Sequence, residues 1–191
     1  IVELVKWADI IDSANFPSAE VAVRRQEPAL QLMTVVENDG DAAFLTKMVP
    51  QLLERPLHEI AASDEIQARW KPLEAQHEAF VERVRKASQV RGAVVYVDLT
   101  DAVTDVVGKF VTYALYPESM YSVVVSRGTT RCKLSIGFNP WCGQQRRHDI
   151  SAICKRYGGG GHPVVGAISL PEGEVERAKE LALSIVEELN R

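Results

Sequence analysis

Tyr157-Gly158-Gly159-Gly160-Gly161-His162, with Gly166 four residues on, is the stretch on which the reading of this chain turns. It lies between an amphipathic helix pattern, with Ile150, Ile153, Cys154 and Tyr157 on one side, and an apolar strand pattern from Val164 to Leu170. Glycine reaches positive φ and lets a ligand approach the backbone closely. Consecutive N–H groups in such a bend make a concave anion site. A histidine at its end adds a hydrogen bond or a positive charge for phosphate. A flexible loop is the blander reading, but this run is bounded on both sides and ends in one ionisable residue.

Upstream, Ala93 to Leu99 is a β-rich run, and Val103, Val106, Val107, Phe110, Val111 and Ala114 give an amphipathic helix. Tyr121 to Ser126 and Arg131 to Phe138 read as strands joined by Arg127-Gly128-Thr129-Thr130. Cys132, Leu134, Ile136 and Phe138 share one side of the second strand. Arg131, Lys133, Ser135 and Gly137 share the other, which is basic and small. Downstream, Glu172-Gly173 opens a helix whose buried stripe runs from Val175 through Leu189. From residue 93 the order is β-α-β-β-α-β-α, a mixed sheet flanked by helices.

The region before residue 93 is helical. Apolar residues recur at three-to-four spacing over 18–37 and 41–62, with Pro28 and Pro50 as breaks. Ser63-Asp64 caps a further helix carrying Ile66, Trp70, Leu73, Phe80 and Val84 and ending at Arg91-Gly92. His77 on that stripe reads as a partly buried core residue. The fold class is therefore α/β: a helical N-terminal segment, then a mixed β-sheet domain flanked by helices.

Among 191 residues, 46% are hydrophobic and 25% charged, the composition of a globular protein. A net charge of −4 argues against a nucleic-acid coat protein but leaves room for a local basic groove. No apolar run reaches the length of a membrane span. Three cysteines without a CxxC pair point to a reducing, cytoplasmic compartment. Cys142, His148, Cys154 and His162 match no usual structural zinc spacing. A start at Ile1, already in apolar sequence, is what a piece of a longer protein shows.

The glycine run, the helix before it, the strand after it and Lys133-Leu134-Ser135-Ile136-Gly137-Phe138 resemble the GGGH-containing C-terminal domain (DHHA1) of the DHH phosphoesterase superfamily. The likeness covers roughly residues 93–191. It implies domains at 1–68, the end of a DHH catalytic domain with its helical connector, and at 69–191, a DHHA1-like substrate-binding domain. The family comprises nucleases acting on single strands and short oligonucleotides, cyclic-dinucleotide phosphodiesterases and exopolyphosphatases. The implied function is the substrate-binding C-terminal part of a metal-dependent phosphoesterase acting on short oligonucleotides, nucleotides or polyphosphate. The alternative is a non-catalytic nucleic-acid- or nucleotide-binding module.

Several site assignments follow from the resemblance. His162 would hydrogen-bond a phosphoryl oxygen, and the amides of Gly159, Gly160 and Gly161 would cradle the same group. Ser135 matches the family's small hydroxyl residue. Gly137 stands where an arginine is often found, and Asn139, Arg146 and Arg147 lie nearby instead. Arg131, with Arg127 and Lys133, adds basic charge, read either as phosphate contact or as solvated surface. Trp141 reads as an edge plug of the core or as a base-stacking group. The chain contains no Asp-His-His triplet. Asp9 and Asp12, three apart after an apolar run, read either as remaining metal ligands or as ordinary helix-end residues. The family's cofactor is a manganese pair, so Mn²⁺ or Mg²⁺ is expected in the full-length enzyme and none in this stretch alone. The expected partner is a phosphate-containing substrate, with no membrane, and the apolar N-terminal helices offer a homodimer contact.

Overall fold

The computed structural model describes residues 1–104, 108 and 110–191. They form two compact units, Ile1–Phe80 and Val81–Arg191.

The first unit is helical: α1 (Val2–Ser13), α2 (Ala19–Arg24), α3 (Pro28–Asp39), α4 (Ala42–Glu54), α5 (Leu57–Ala61) and most of α6 (Asp64–Ala87). Its helices start where local chemistry supplies acceptors for free N–H groups. Ser18 accepts from the Val21 amide, and Asp41 from the Phe44 amide at 2.8 Å. Pro28 opens α3, where its missing N–H costs nothing. Leu32, Val35, Phe44, Met48, Leu57, Ile60, Ile66 and Trp70 make the core. Pro50 does not break its helix but lies inside α4. An interior proline costs about 3 kcal/mol. Burial of Phe44 and Met48 on the same helix returns about 1.5–3 kcal/mol each, which outweighs it. The break falls instead at Arg55-Pro56. His77 donates its Nε2–H to the Val23 carbonyl at 2.7 Å. Burial, and then the nearby Arg25 charge, hold its pKa below the ordinary value.

The second unit is a six-stranded sheet: β1 (Ser88–Arg91), β2 (Val94–Leu99), β3 (Tyr121–Arg127), β4 (Arg131–Phe138), β5 (Gly160–His162) and β6 (Val165–Pro171). The spatial order is β1-β2-β3-β4-β6-β5. Only the β2–β3 pair is parallel. The helices are α7 (Val111–Leu115), α8 (Ile150–Arg156) and α9 (Val175–Leu189). Helices α8 and α9 cover one face, where Ile150, Cys154, Ala178, Ala182 and Ile185 pack on Val123, Val125, Leu134, Ile136 and Ile168.

Three further sequence expectations are corrected. Helix α6 stops at Ala87, and Ser88–Arg91 turns back as an edge strand on β2. Gly92, at φ 63, makes that turn, and Asn190 fastens it by donating to the Arg91 carbonyl and accepting from the Ala93 amide. Gly160–His162 is a strand rather than part of a free bend. Val103 lies outside α7, while Val106 and Val107 fall outside the described residues.

Candidate functional site

The glycine run is first a helix terminus. Gly158, at φ 74, follows the end of α8 and donates to the Lys155 carbonyl at 3.2 Å. Gly159 donates to the Cys154 carbonyl at 2.9 Å. These two bonds form a Schellman cap. The Gly159 amide is therefore committed to the helix and does not join a phosphate cradle. Two further glycines are required by crowding. A side chain at Gly159 would strike the Ala167 carbonyl, and one at Gly161 the Val165 carbonyl. Gly166 sits under α8, where a Cβ would come within 2.6 Å of Cys154 Sγ. Gly160 alone in the run has open space at its Cβ position and negative φ.

The register of the sheet then decides what faces outward. Phe138 donates to Val164, so the even-numbered residues of β6 bond to β4 and the odd-numbered ones to β5. Gly160 and His162 thus bond to Ala167 and Val165, and Gly161 turns its N–H to the free edge. Residues paired across strands share a face. One row runs His162, Val165, Gly137, Ser122. The next runs Gly160, Ala167, Ser135, Val124. A third runs Ser169, Lys133, Ser126. All three lie opposite the face covered by α8 and α9. His162 and Ser169 are exposed, and Ser135, Lys133, Ala167 and Gly160 half-exposed. Among the described residues, no group hydrogen-bonds the His162 ring or the Ser135 hydroxyl, and Lys133 has no ion pair.

Strand spacing sets the scale of this surface. Ser135 and Lys133 are two residues apart, about 7 Å. His162 and Ser135 are two strands and two residues apart, about 12 Å between Cα atoms. Hydroxyl, ammonium and imidazole donors thus border a floor of glycine, alanine and serine. Such a surface has room for an oxyanion and donors to hold it.

The remaining candidates fall elsewhere. Arg131 is on the same face but at the far end of β4, exposed, opposite Pro171. Asn139 is fully buried: its Nδ2 donates to the Pro117 and Ser119 carbonyls, and its Oδ1 accepts from the Trp141 amide. Its amide is thereby occupied in holding the loop. Arg146 donates to the His148 carbonyl, and the Arg147 amide donates to Tyr121 Oη. Tyr121 belongs to the core under α8 and α9, so this loop is tied to the opposite face. Arg127 shares a register position with Cys132, on the helix-covered face, and pairs with Glu172 at 3.4 Å. Asp9 and Asp12 lie exposed on α1 in the first unit. Among the described residues no three His, Cys, Asp or Glu side chains gather as a metal site. Two solvent-facing carboxylates do not make a centre for a cation that takes six oxygen ligands.

Tyr113 was not legible as a site residue. Its hydroxyl stands over Gly137, where any Cβ would collide with it, and lies 2.9 Å from Ser122 Oγ. Burial pushes its pKa well up, so the phenol stays neutral. The signal in sequence was the glycine at 137 itself, a missing side chain on the otherwise polar face of β4.

No family model and no curated protein matches the chain. Among solved structures, a pGpG-specific phosphodiesterase, PggH, from Vibrio cholerae aligns over 99% of this chain at TM-score 0.79 and 22% identity. The chain spans 66% of that protein's length. The two share a fold over nearly all of the present sequence. An exopolyphosphatase-related protein from Bacteroides fragilis aligns over 91% of this chain and 53% of its own, at TM-score 0.45 and 14% identity. At that level it adds nothing to the argument.

Proposed function

We propose that this chain is the substrate-binding part of a DHH-type phosphoesterase that hydrolyses phosphodiester or phosphoanhydride bonds in short oligonucleotides, nucleotides or polyphosphate. The observation that carries the reading is the sheet register that sets His162, Ser135 and Lys133 on one exposed face. A fold shared with a pGpG phosphodiesterase supports it. In this reading the phosphoryl oxygens take hydrogen bonds from the His162 ring, the Ser135 hydroxyl and the outward Gly161 amide. Lys133 supplies the balancing charge. Mn²⁺ or Mg²⁺ belongs to the full-length enzyme and not to this stretch alone.

A non-catalytic nucleotide-binding module is the second reading. It draws on one fact: among the described residues neither His162 nor Ser135 has an acid or base hydrogen-bonded to it, so the face alone binds without activating anything. Calorimetric titration with pGpG and tripolyphosphate tests the shared premise. His162→Ala is expected to weaken both about tenfold or more, since a hydrogen bond to a charged group is worth about 1.5–3 kcal/mol. Unaltered affinity for both ligands, with unaltered melting, sinks the premise. Turnover of pGpG in Mn²⁺ by the full-length protein, or its lack, separates enzyme from module.

A further inference from the structure

In the helical unit, the corner between α2 and α3 carries an arginine where the backbone suits glycine. Arg25 caps α2 at φ 52 and ψ 30, and its amide donates to the Val21 carbonyl at 3.3 Å. A helix end of this form usually holds glycine, because a Cβ is crowded in the left-handed region. No contact of the side chain compensates. Among the described residues the Arg25 guanidinium has no hydrogen bond and no ion pair, and its Nε is buried without a partner. Burial holds its pKa below the ordinary value, and Glu37 on α3 opposes this from beyond ion-pair distance. Other residues fasten the corner. His77 on α6 bonds the Val23 carbonyl at 2.7 Å. Gln26 donates to Glu74 Oε1 on α6 at 2.9 Å, and Gln31 donates to the Gln26 carbonyl at 3.1 Å. A strained backbone and an unpaired, half-buried cation thus meet at one residue. Strain of this kind gathers at ligand clamps and switches.

We propose that Arg25 and His77 form a binding site for a small tetrahedral oxyanion at the α2–α3 corner. A guanidinium offers parallel N–H donors to such a group. His77 adds a donor from a second helix, and a tetrahedral anion presents oxygens to both. The Nε2–H of His77 is committed to Val23, and among the described residues nothing hydrogen-bonds its Nδ1. Burial and then the Arg25 charge keep this imidazole neutral, while the Val23 bond and Glu78 pull the other way. Protonation gives Nδ1 a hydrogen to donate and adds a second positive charge. Glu37, Glu74 and Glu78 supply the opposing negative field. An anion therefore binds once the imidazole is protonated, and its binding takes up a proton. All these residues belong to the first unit, and the proposal does not rest on the anion-binding reading of the open face.

Sulfate is the probe, because its charge stays constant where a histidine titrates. Chloride at equal ionic strength is the control for screening. The readout is the proton magnetic resonance of the His77 ring, assigned by its loss in His77→Gln. Sulfate is expected to shift this resonance saturably and to displace its titration midpoint to higher pH, and chloride is not. Arg25→Gly should weaken sulfate about tenfold or more, the worth of one hydrogen bond between charged groups. In chloride the same variant should melt higher than the native chain, since glycine relieves the left-handed backbone. Arg25→Lys keeps the charge without the fork, and its sulfate affinity should fall between the two. An Arg25→Gly chain that melts lower in chloride, or does not fold, makes the arginine a structural residue and overturns the proposal. So does sulfate affinity equal in Arg25→Gly and the native chain, or the lack of any saturable shift at His77.

Discussion

At the scale of single residues, the pair Tyr113–Gly137 is the most constrained spot on the open face. The phenol occupies the volume a side chain at 137 would need, and Ser122 holds it there. Gly137→Ala must move a buried ring, and overpacking of this kind costs about 1–3 kcal/mol. Tyr113→Phe removes the hydroxyl that collides and leaves the ring. We expect Gly137→Ala to lower the urea midpoint, and the double variant with Tyr113→Phe to recover much of the loss. Additive losses in that cycle would show that the two residues do not compete for one volume. His162, by contrast, is exposed on a three-residue strand, so its replacement should touch binding and leave stability alone.

At the scale of elements, the four glycines separate into distinct duties. Gly158 closes a helix at positive φ, where alanine costs about 1–2 kcal/mol. Gly161, at φ 149, faces the Val165 carbonyl and tolerates no side chain. Gly160 has nothing near its Cβ position. Chemical denaturation should therefore rank Gly160→Ala as nearly neutral and Gly158→Ala and Gly161→Ala as clearly destabilising. Equal costs at all three would contradict the assignment. This division explains what could be read in advance. Strand β4 was legible because Cys132, Leu134 and Ile136 alternate with Lys133 and Ser135, and only a sheet has that period. Strand β5 was not, since glycines carry no pattern and its partner is set by Phe138 and β6. Strand β1 was hidden because its turn is fastened by Asn190, nearly a hundred residues away. The glycine-histidine stretch could be read as a candidate from its residues alone, but the grip of Asn139 on its own loop is set by tertiary contacts to the Pro117 and Ser119 carbonyls.

At the scale of the whole molecule, two units mean two stability records. In the first, His77 is held neutral by burial and by Arg25 while donating to Val23. Its folded pKa lies below the unfolded value of about 6.5, so the unfolded chain binds the proton more readily. Stability of the helical unit is then full above about pH 6.5 and falls as acid carries pH down toward the folded pKa. His77→Gln keeps a donor for Val23 without a titrating ring. Its helical unit should lose less stability than the native one between about pH 8 and about pH 5.5; equal acid sensitivity would remove His77 as the cause.

In the second unit, Gly166 presses the floor of the sheet against Cys154, and Cys132 is sealed with it, while Cys142 stays within reach of solvent. An oxygen or an alkyl group added to either sealed sulfur has nowhere to go unless α8 or α9 lifts. The three thiols thus form a graded set of labels: one reports on the native surface, and two record each occasion on which the sheet comes open.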